Sequence, residues 1–266
     1  DRLRRRPLAE PLVLPRAPRV IVFSPHPDDE TVAAGGLIAR LARRGLPVRV
    51  VFVTNGDGYP HAVEEGLDVA MPTTSDYVAF GALRQREAVA AARKLGLRRG
   101  DLSFLGFPDG GLADLWRAHW AEPLTSPYTN ETSPPYPDAV SPEAEYEGKD
   151  LTSVIAWLLR DFRPTVVIMP HPYDRHPDHA HTSFFVTEAM SGLQAKGLLP
   201  ATIQVLTYVV HFPSWPAIKP PAVDRCLTVS ELGDTLWTEN ELAAPDLGSK
   251  RAALAEYRGQ LYVMNG

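Results

Sequence analysis

Two clusters of histidine and aspartate stand out because their residue types and spacing could hold a divalent ion. The first is His26-Pro27-Asp28-Asp29-Glu30 and the second is His176-Pro177-Asp178-His179. His26 and Asp29 are three positions apart, as are His176 and His179, and that spacing brings side chains to one side of a helix's first turn. Two imidazoles and a carboxylate make a catalytic metal set that leaves a coordination position for water. His26, Asp29 and His179 are therefore the expected ligands, of Zn2+ or of another divalent ion such as Fe2+. An ion so held lowers the pKa of its water to about 7 and polarises a carbonyl. Asp28 neighbours Asp29, so the two side chains diverge, and Asp28 suits the base that takes the water's proton. His176, one turn before His179, suits an acid or an oxyanion partner. Asp178 suits the carboxylate that orients an imidazole.

These clusters need strand ends and helix starts to position them. The apolar run at 19–24 reads as a buried strand, and the first cluster follows it at once. A helix is expected at 31–44, stopped by Gly45. Further strands are expected at 48–54, 102–105, 165–170, 203–210 and 223–229, and helices at 77–95, 151–161, 178–196 and 247–263. Strands alternating with helices imply an α/β fold with a mostly parallel sheet covered on both faces. Both clusters then sit just beyond the carboxyl ends of strands, where open α/β sheets place their ligands. From 112 to 148 the pattern fails: prolines interrupt it, and Trp116, Trp120, Tyr128, Tyr136 and Tyr146 are scattered between them. This stretch reads as a long ordered loop or lid, or as a tolerated surface insertion.

Composition narrows the partners. A chain of 266 residues is long enough for one large domain over 1–266, with 1–18 as an N-terminal tail. With 27 Lys and Arg against 32 Asp and Glu, the formal charge of −5 gives no global attraction for nucleic acid or anionic lipid. A small or neutral substrate fits better. The basic run Arg2-Leu3-Arg4-Arg5-Arg6 lies at the chain end and reads as solvated. Cys226 is the sole cysteine, so there is no intrachain disulfide and no thiolate cage. No apolar stretch is long enough to span a bilayer. The sequence starts at Asp1 rather than Met, which leaves localisation open between cytoplasm and secretion. The oligomeric state is not specified.

The same residues resemble the PIG-L or LmbE-like de-N-acetylases, which include the N-acetylglucosaminyl-phosphatidylinositol deacetylase and the deacetylases of mycothiol and bacillithiol synthesis. The matching pieces are Ser24-Pro25-His26-Pro27-Asp28-Asp29-Glu30, Thr54-Asn55-Gly56, Arg84-Gln85-Arg86-Glu87 leading to Leu95-Gly96, Leu105 through Gly111, and Asp174-Arg175-His176-Pro177-Asp178-His179. The resemblance implies a Rossmann-like fold and zinc-dependent removal of acetyl from an N-acetylglucosamine unit, carried by a small molecule or a glycan. It agrees with His26, Asp29 and His179 as ligands and Asp28 as base. It also implies that Arg84 and Asp109 contact the sugar, and that a tyrosine or histidine from the C-terminal half, Tyr208 or His211, stabilises the oxyanion. The 112–148 stretch is longer than expected in the compact cofactor-pathway members, and its aromatic rings could stack on a larger glycan.

Other readings compete. The same site could hydrolyse a different small amide, because ligands dictate bond chemistry rather than the leaving group. A metal- or carbohydrate-binding protein could keep the fold without turnover, although it would need neither Asp28 nor His176. Phosphoester chemistry on Mg2+ fits poorly, since that ion prefers oxygen ligands.

Overall fold

The computed structural model describes residues 9–211 and 235–260. Five strands, β2 (Val20–Ser24), β3 (Val48–Thr54), β4 (Leu102–Phe107), β5 (Val166–Pro170) and β6 (Gln204–Tyr208), form one parallel sheet in the order β4-β3-β2-β5-β6. All five residues of β2 are buried, as expected for the central strand of a sheet covered on both faces.

Alternation along the strands sends successive side chains to opposite layers. Val20, Val22, Val50 and Phe52 pack on one side with α1 (Asp29–Arg43) and α3 (Thr74–Lys94). Ile21, Phe23, Val51 and Val53 pack on the other with α5 (Gly148–Phe162) and α6 (Pro177–Ala195). The crossovers β2 to β3 and β3 to β4 use the first layer, and those from β4 to β5 and β5 to β6 use the second. This is the expected three-layer Rossmann-like arrangement, and its strand order reverses direction between β2 and β5. Loops leaving adjacent strands at such a switch point diverge and open a crevice. Both histidine clusters leave from these two strands.

Several boundaries differ from expectation. The expected 31–44 helix starts earlier, at Asp29, and places the first acidic cluster in its first turn, where carboxylates complement the helix dipole. Helix α2 (Pro60–Leu67) escaped the periodicity reading because it buries only Ala62 and Val63. The stretch 112–148 is not loop throughout. It begins with α4 (Leu112–Arg117), which buries Leu112 and Leu115. The expected 247–263 helix corresponds to α7 (Ala244–Leu254), which starts earlier, and its last residues, 261–263, lie outside the described residues. Helix α7 packs on α1 at Gly35, where a Cβ would come within 3.2 Å of the Lys250 side chain. The N-terminal tail is partly pinned, because β1 (Glu10–Pro11) pairs in parallel with β7 (Thr238–Glu239). The expected strand at 223–229 lies outside the described residues. No helix among the described residues is long and apolar enough to cross a membrane.

Candidate metal centre

The first cluster is fixed by hydrogen bonds to its own strand. The Ser24 hydroxyl donates to the His26 carbonyl at 2.6 Å and accepts from Glu30 N–H at 3.0 Å. The Pro25 carbonyl accepts from Thr54 N–H at 2.9 Å. Asp28 is the N-cap of α1 and sits at φ 132°, a left-handed backbone that a non-glycine residue holds only when its surroundings enforce it. The second cluster begins with His176 as N-cap and Pro177 at the first helical position, where the missing N–H costs nothing. Asp178 N–H donates to His176 Nδ1 at 3.2 Å, so a neutral His176 ring carries its proton on Nε2.

The two turns meet at Asp29. One of its oxygens, Oδ2, lies 3.1 Å from His26 Nδ1 and 3.1 Å from His179 Nε2. Ligands about 2.0–2.1 Å from one tetrahedral ion stand roughly 3.3 Å apart, so each of these two spacings suits a pair of ligands. His179 is fully buried, and neither of its nitrogens has a hydrogen bond of acceptable geometry. Buried nitrogens without a hydrogen bond call for another partner, and a divalent ion beside the Asp29 carboxylate would supply one. The donor atoms of His26, His176 and His179 also lie within 4.8 Å of one another, as do those of Asp29, His179 and His211.

Each histidine of the tripod has a second carboxylate behind it. His26 Nε2 is 3.0 Å from Asp109 Oδ1 and 3.3 Å from Asp178 Oδ2. Asp109 already accepts from Gly58 N–H at 2.6 Å, and Asp178 accepts from Gly110 and Leu112 N–H at 2.7 and 3.2 Å. The donor atoms of His26, Asp109 and Asp178 also lie within 4.8 Å of one another, and a carboxylate behind an imidazole fixes the orientation of its ring. His179 Nδ1 faces Asp174 Oδ2 at 3.2 Å.

Electrostatics follow from this crowding. Burial opposes charge on His26, but Asp109, Asp178 and Asp29 surround it and raise its pKa well above the ordinary value. Burial likewise opposes charge on His179, and Asp29 and Asp174 overcome it, lifting the pKa to about 9. For Asp29, burial is outweighed by His179 and His26, which hold the carboxyl far below its usual range. Burial pushes Asp28 up to about 7 against the opposing charge of Arg84. His176 is depressed to about 4 by burial and by the positive charge of His26.

The remaining expected residues are placed as follows. Arg84 is only 2% exposed. Its guanidinium donates to the Pro27 carbonyl and to Gln260, and pairs with Asp28 at 3.3 Å. It stands behind Asp28 rather than facing open space. Asp109 lies against His26 as described. His211 stands with its ring 4.8 Å from that of His179 and 5.2 Å from that of His176. Tyr208 is placed elsewhere: its hydroxyl donates to the Phe23 carbonyl at 2.8 Å.

The profile of the family described as PIG-L: GlcNAc-PI de-N-acetylase matches residues 21–190, more than half of the chain. The chain belongs to the PIG-L family. A 1D-myo-inositol 2-acetamido-2-deoxy-alpha-D-glucopyranoside deacetylase of Mycobacterium sp. (strain KMS) is 33% identical over 190 residues, covering 69% of this chain and 54% of that protein. A diacetylchitobiose deacetylase of Thermococcus kodakarensis is 29% identical over 213 residues, covering 74% and 62%. The chain thus spans about half to two thirds of the length of these relatives. Among solved structures, the 4-carboxy-2-hydroxymuconate hydratase GalB of Pseudomonas putida superposes with a TM-score of 0.56 at 21% identity, covering 93% of this chain and 82% of that one. The PIG-L fold is therefore shared with an enzyme named for a different reaction, and the fold alone does not choose the chemistry.

Three residues of this PIG-L site were given no role from sequence. Asp174 was visible inside the second motif, and a buried imidazole calls for a carboxylate behind it. Glu30 was visible in the first motif; it is buried and accepts from Asp28 N–H at 3.1 Å and from the hydroxyls of Thr31 and Tyr257. Tyr257 carried no local signal, since it meets Glu30 only through the tertiary fold.

Proposed function

We propose that this PIG-L family chain is a metal-dependent amidohydrolase that removes acetyl from a substrate containing N-acetylglucosamine. The observation that carries the reading is the approach of one Asp29 oxygen to nitrogens of both His26 and His179, each at 3.1 Å, with Asp28 beside it. The substrate class is supported by the names of the mycobacterial and Thermococcus relatives.

In this reading His26, Asp29 and His179 hold Zn2+, and the mixed nitrogen and oxygen set also suits Fe2+. The ion supplies an acidified water and a polarised carbonyl. Asp28 takes the proton of the attacking water and returns it to the departing amine. Burial, which raises the Asp28 pKa against the charge of Arg84, suits a group that must both take a proton and give it back. His176, neutral and protonated on Nε2, donates a hydrogen bond to the developing oxyanion, with His211 next to it. Asp109, Asp178 and Asp174 keep the two ligand rings in place.

The test is acetate release from N-acetylglucosamine compounds, from monosaccharide conjugates to chitooligosaccharides, by protein stripped with chelator and then given Zn2+. Release restored by the metal is the expected result. Stoichiometric metal binding with no release from any member would overturn the deacetylase reading and favour another amide.

A further inference from the structure

The stretch after α4 takes no part in the chemistry above, yet it builds a wall beside the tripod. It is fastened to the sheet at several points. The Tyr146 hydroxyl donates to the Gly106 carbonyl at 2.9 Å, the Tyr136 hydroxyl donates to Asp57, and Val140 N–H donates to the Phe104 carbonyl at 2.8 Å. Ahead of these anchors the chain closes a tight turn. Ser126 N–H donates to the Glu131 carbonyl at 2.9 Å, Asn130 N–H donates to the Ser126 carbonyl at 3.0 Å, and the Ser126 hydroxyl accepts from Tyr128 and Thr129 N–H. Asn130 adopts φ 61° there, a conformation asparagine tolerates.

Tyr128 is at the tip of that turn, and its ring lies on two glycines of the site loops. A Cβ on Gly58 would come within 2.7 Å of the ring, and one on Gly110 within 3.8 Å. Gly58 donates its N–H to Asp109 and Gly110 donates to Asp178, so the ring sits next to the carboxylates that orient His26. Burial and the nearby charges of Asp109, Tyr77 and Asp178 raise the Tyr128 pKa. Tyr77 of α3 stands alongside, with ring centroids 5.4 Å apart and planes tilted by 47°. Both rings are half-buried and keep open surface.

We propose that Tyr128 and Tyr77 form a sugar-stacking subsite that receives the pyranose ring next to the unit being deacetylated. A pyranose has apolar faces and hydroxyl edges, which suits a phenol that offers a ring face and a polar tip. The negative charge of the adjacent carboxylates disfavours a phosphate or other anion. Because the wall is fastened down, little ordering entropy is lost when it binds. The inference rests on the deacetylase reading and specifies its substrate as an oligosaccharide or glycoconjugate rather than a free monosaccharide.

The experiment compares kcat/KM for acetate release from N,N'-diacetylchitobiose with that from N-acetylglucosamine, in zinc-restored wild type and in Tyr128→Ala, Tyr128→Phe and Tyr77→Ala. Loss of one stacked ring is expected to lower the disaccharide-to-monosaccharide ratio roughly 3- to 10-fold, through KM. Tyr128→Phe, which keeps the ring, is expected to recover most of that ratio. Tyr77→Ala carries the test if Tyr128→Ala fails to fold. A ratio unchanged in both alanine variants overturns the subsite. If wild type releases acetate from neither sugar, the deacetylase reading falls, and calorimetric binding of diacetylchitobiose then decides the subsite by itself: binding weakened by Tyr128→Ala supports it, and no binding to wild type overturns it.

Discussion

His26, Asp29 and His179 stand on the turns that leave two adjacent parallel strands, whereas Arg84, Tyr257 and Tyr128 reach the same space from α3, from the chain after α7 and from the 112–148 stretch. The first group is aimed by backbone: strand ends, N-caps and short hydrogen bonds such as Ser24 to the His26 carbonyl. The second is aimed by side-chain contacts across long sequence distances, as in Tyr257 to Glu30 and Arg84 to Pro27. Strand ends fix where an ion can sit, and the outlying residues set how well the base and the substrate are placed. Damage to the two groups should therefore separate into loss of metal and loss of turnover.

The largest contrast is between neighbours. Asp29→Ala is expected to abolish metal uptake and acetate release together, whereas Asp28→Asn keeps stoichiometric metal and lowers kcat about 10²- to 10⁴-fold. Elemental analysis beside single-substrate kinetics checks both, and an Asp28→Asn protein without metal would falsify the division. Asp174→Asn loosens the carboxylate behind His179 and should weaken metal affinity about 10- to 100-fold, read by chelator competition. Tyr257→Phe leaves the buried Glu30 one donor short and should cost about 1–3 kcal/mol in a denaturant titration, with metal affinity unchanged.

The smallest effect is a shift of pH dependence. Burial raises Asp28 and Arg84 opposes that rise. The carboxylate is the active form, so activity is lost as pH falls through its pKa. Arg84→Met removes the opposing charge, the pKa rises further, and the acid limb of kcat/KM should move to higher pH. A limb that stays put would disconnect Arg84 from Asp28.

Much of the fold was legible because buried parallel strands are unbroken apolar runs: β3 was expected at 48–54 and is found there. That His26, Asp29 and His179 would meet was legible because they cluster within short motifs at strand ends. Helix α2 was not, since a surface helix that buries two small residues leaves no strong period. Arg84 was read as a sugar contact from its motif, but its burial against Asp28 and Pro27 depends on where α3 packs. Tyr257 and the glycine floor beneath Tyr128 involve partners 227 residues and several loops apart, and no window of sequence carries such pairings.

Asp174 joins the tripod to a distant stretch of backbone. The same Oδ2 that faces His179 accepts Val210 N–H at 2.8 Å and His211 N–H at 3.1 Å, while Oδ1 accepts His176 N–H at 3.0 Å. One carboxylate thus ties the exit of β6 to the start of α6. Whatever immobilises the His179 ring must also slow the opening of those amides, and by reciprocity the ordering of the β6 exit must tighten the grip on the ion. Hydrogen exchange at Val210 and His211 then becomes a gauge of site loading at positions that donate no ligand atom from their backbone.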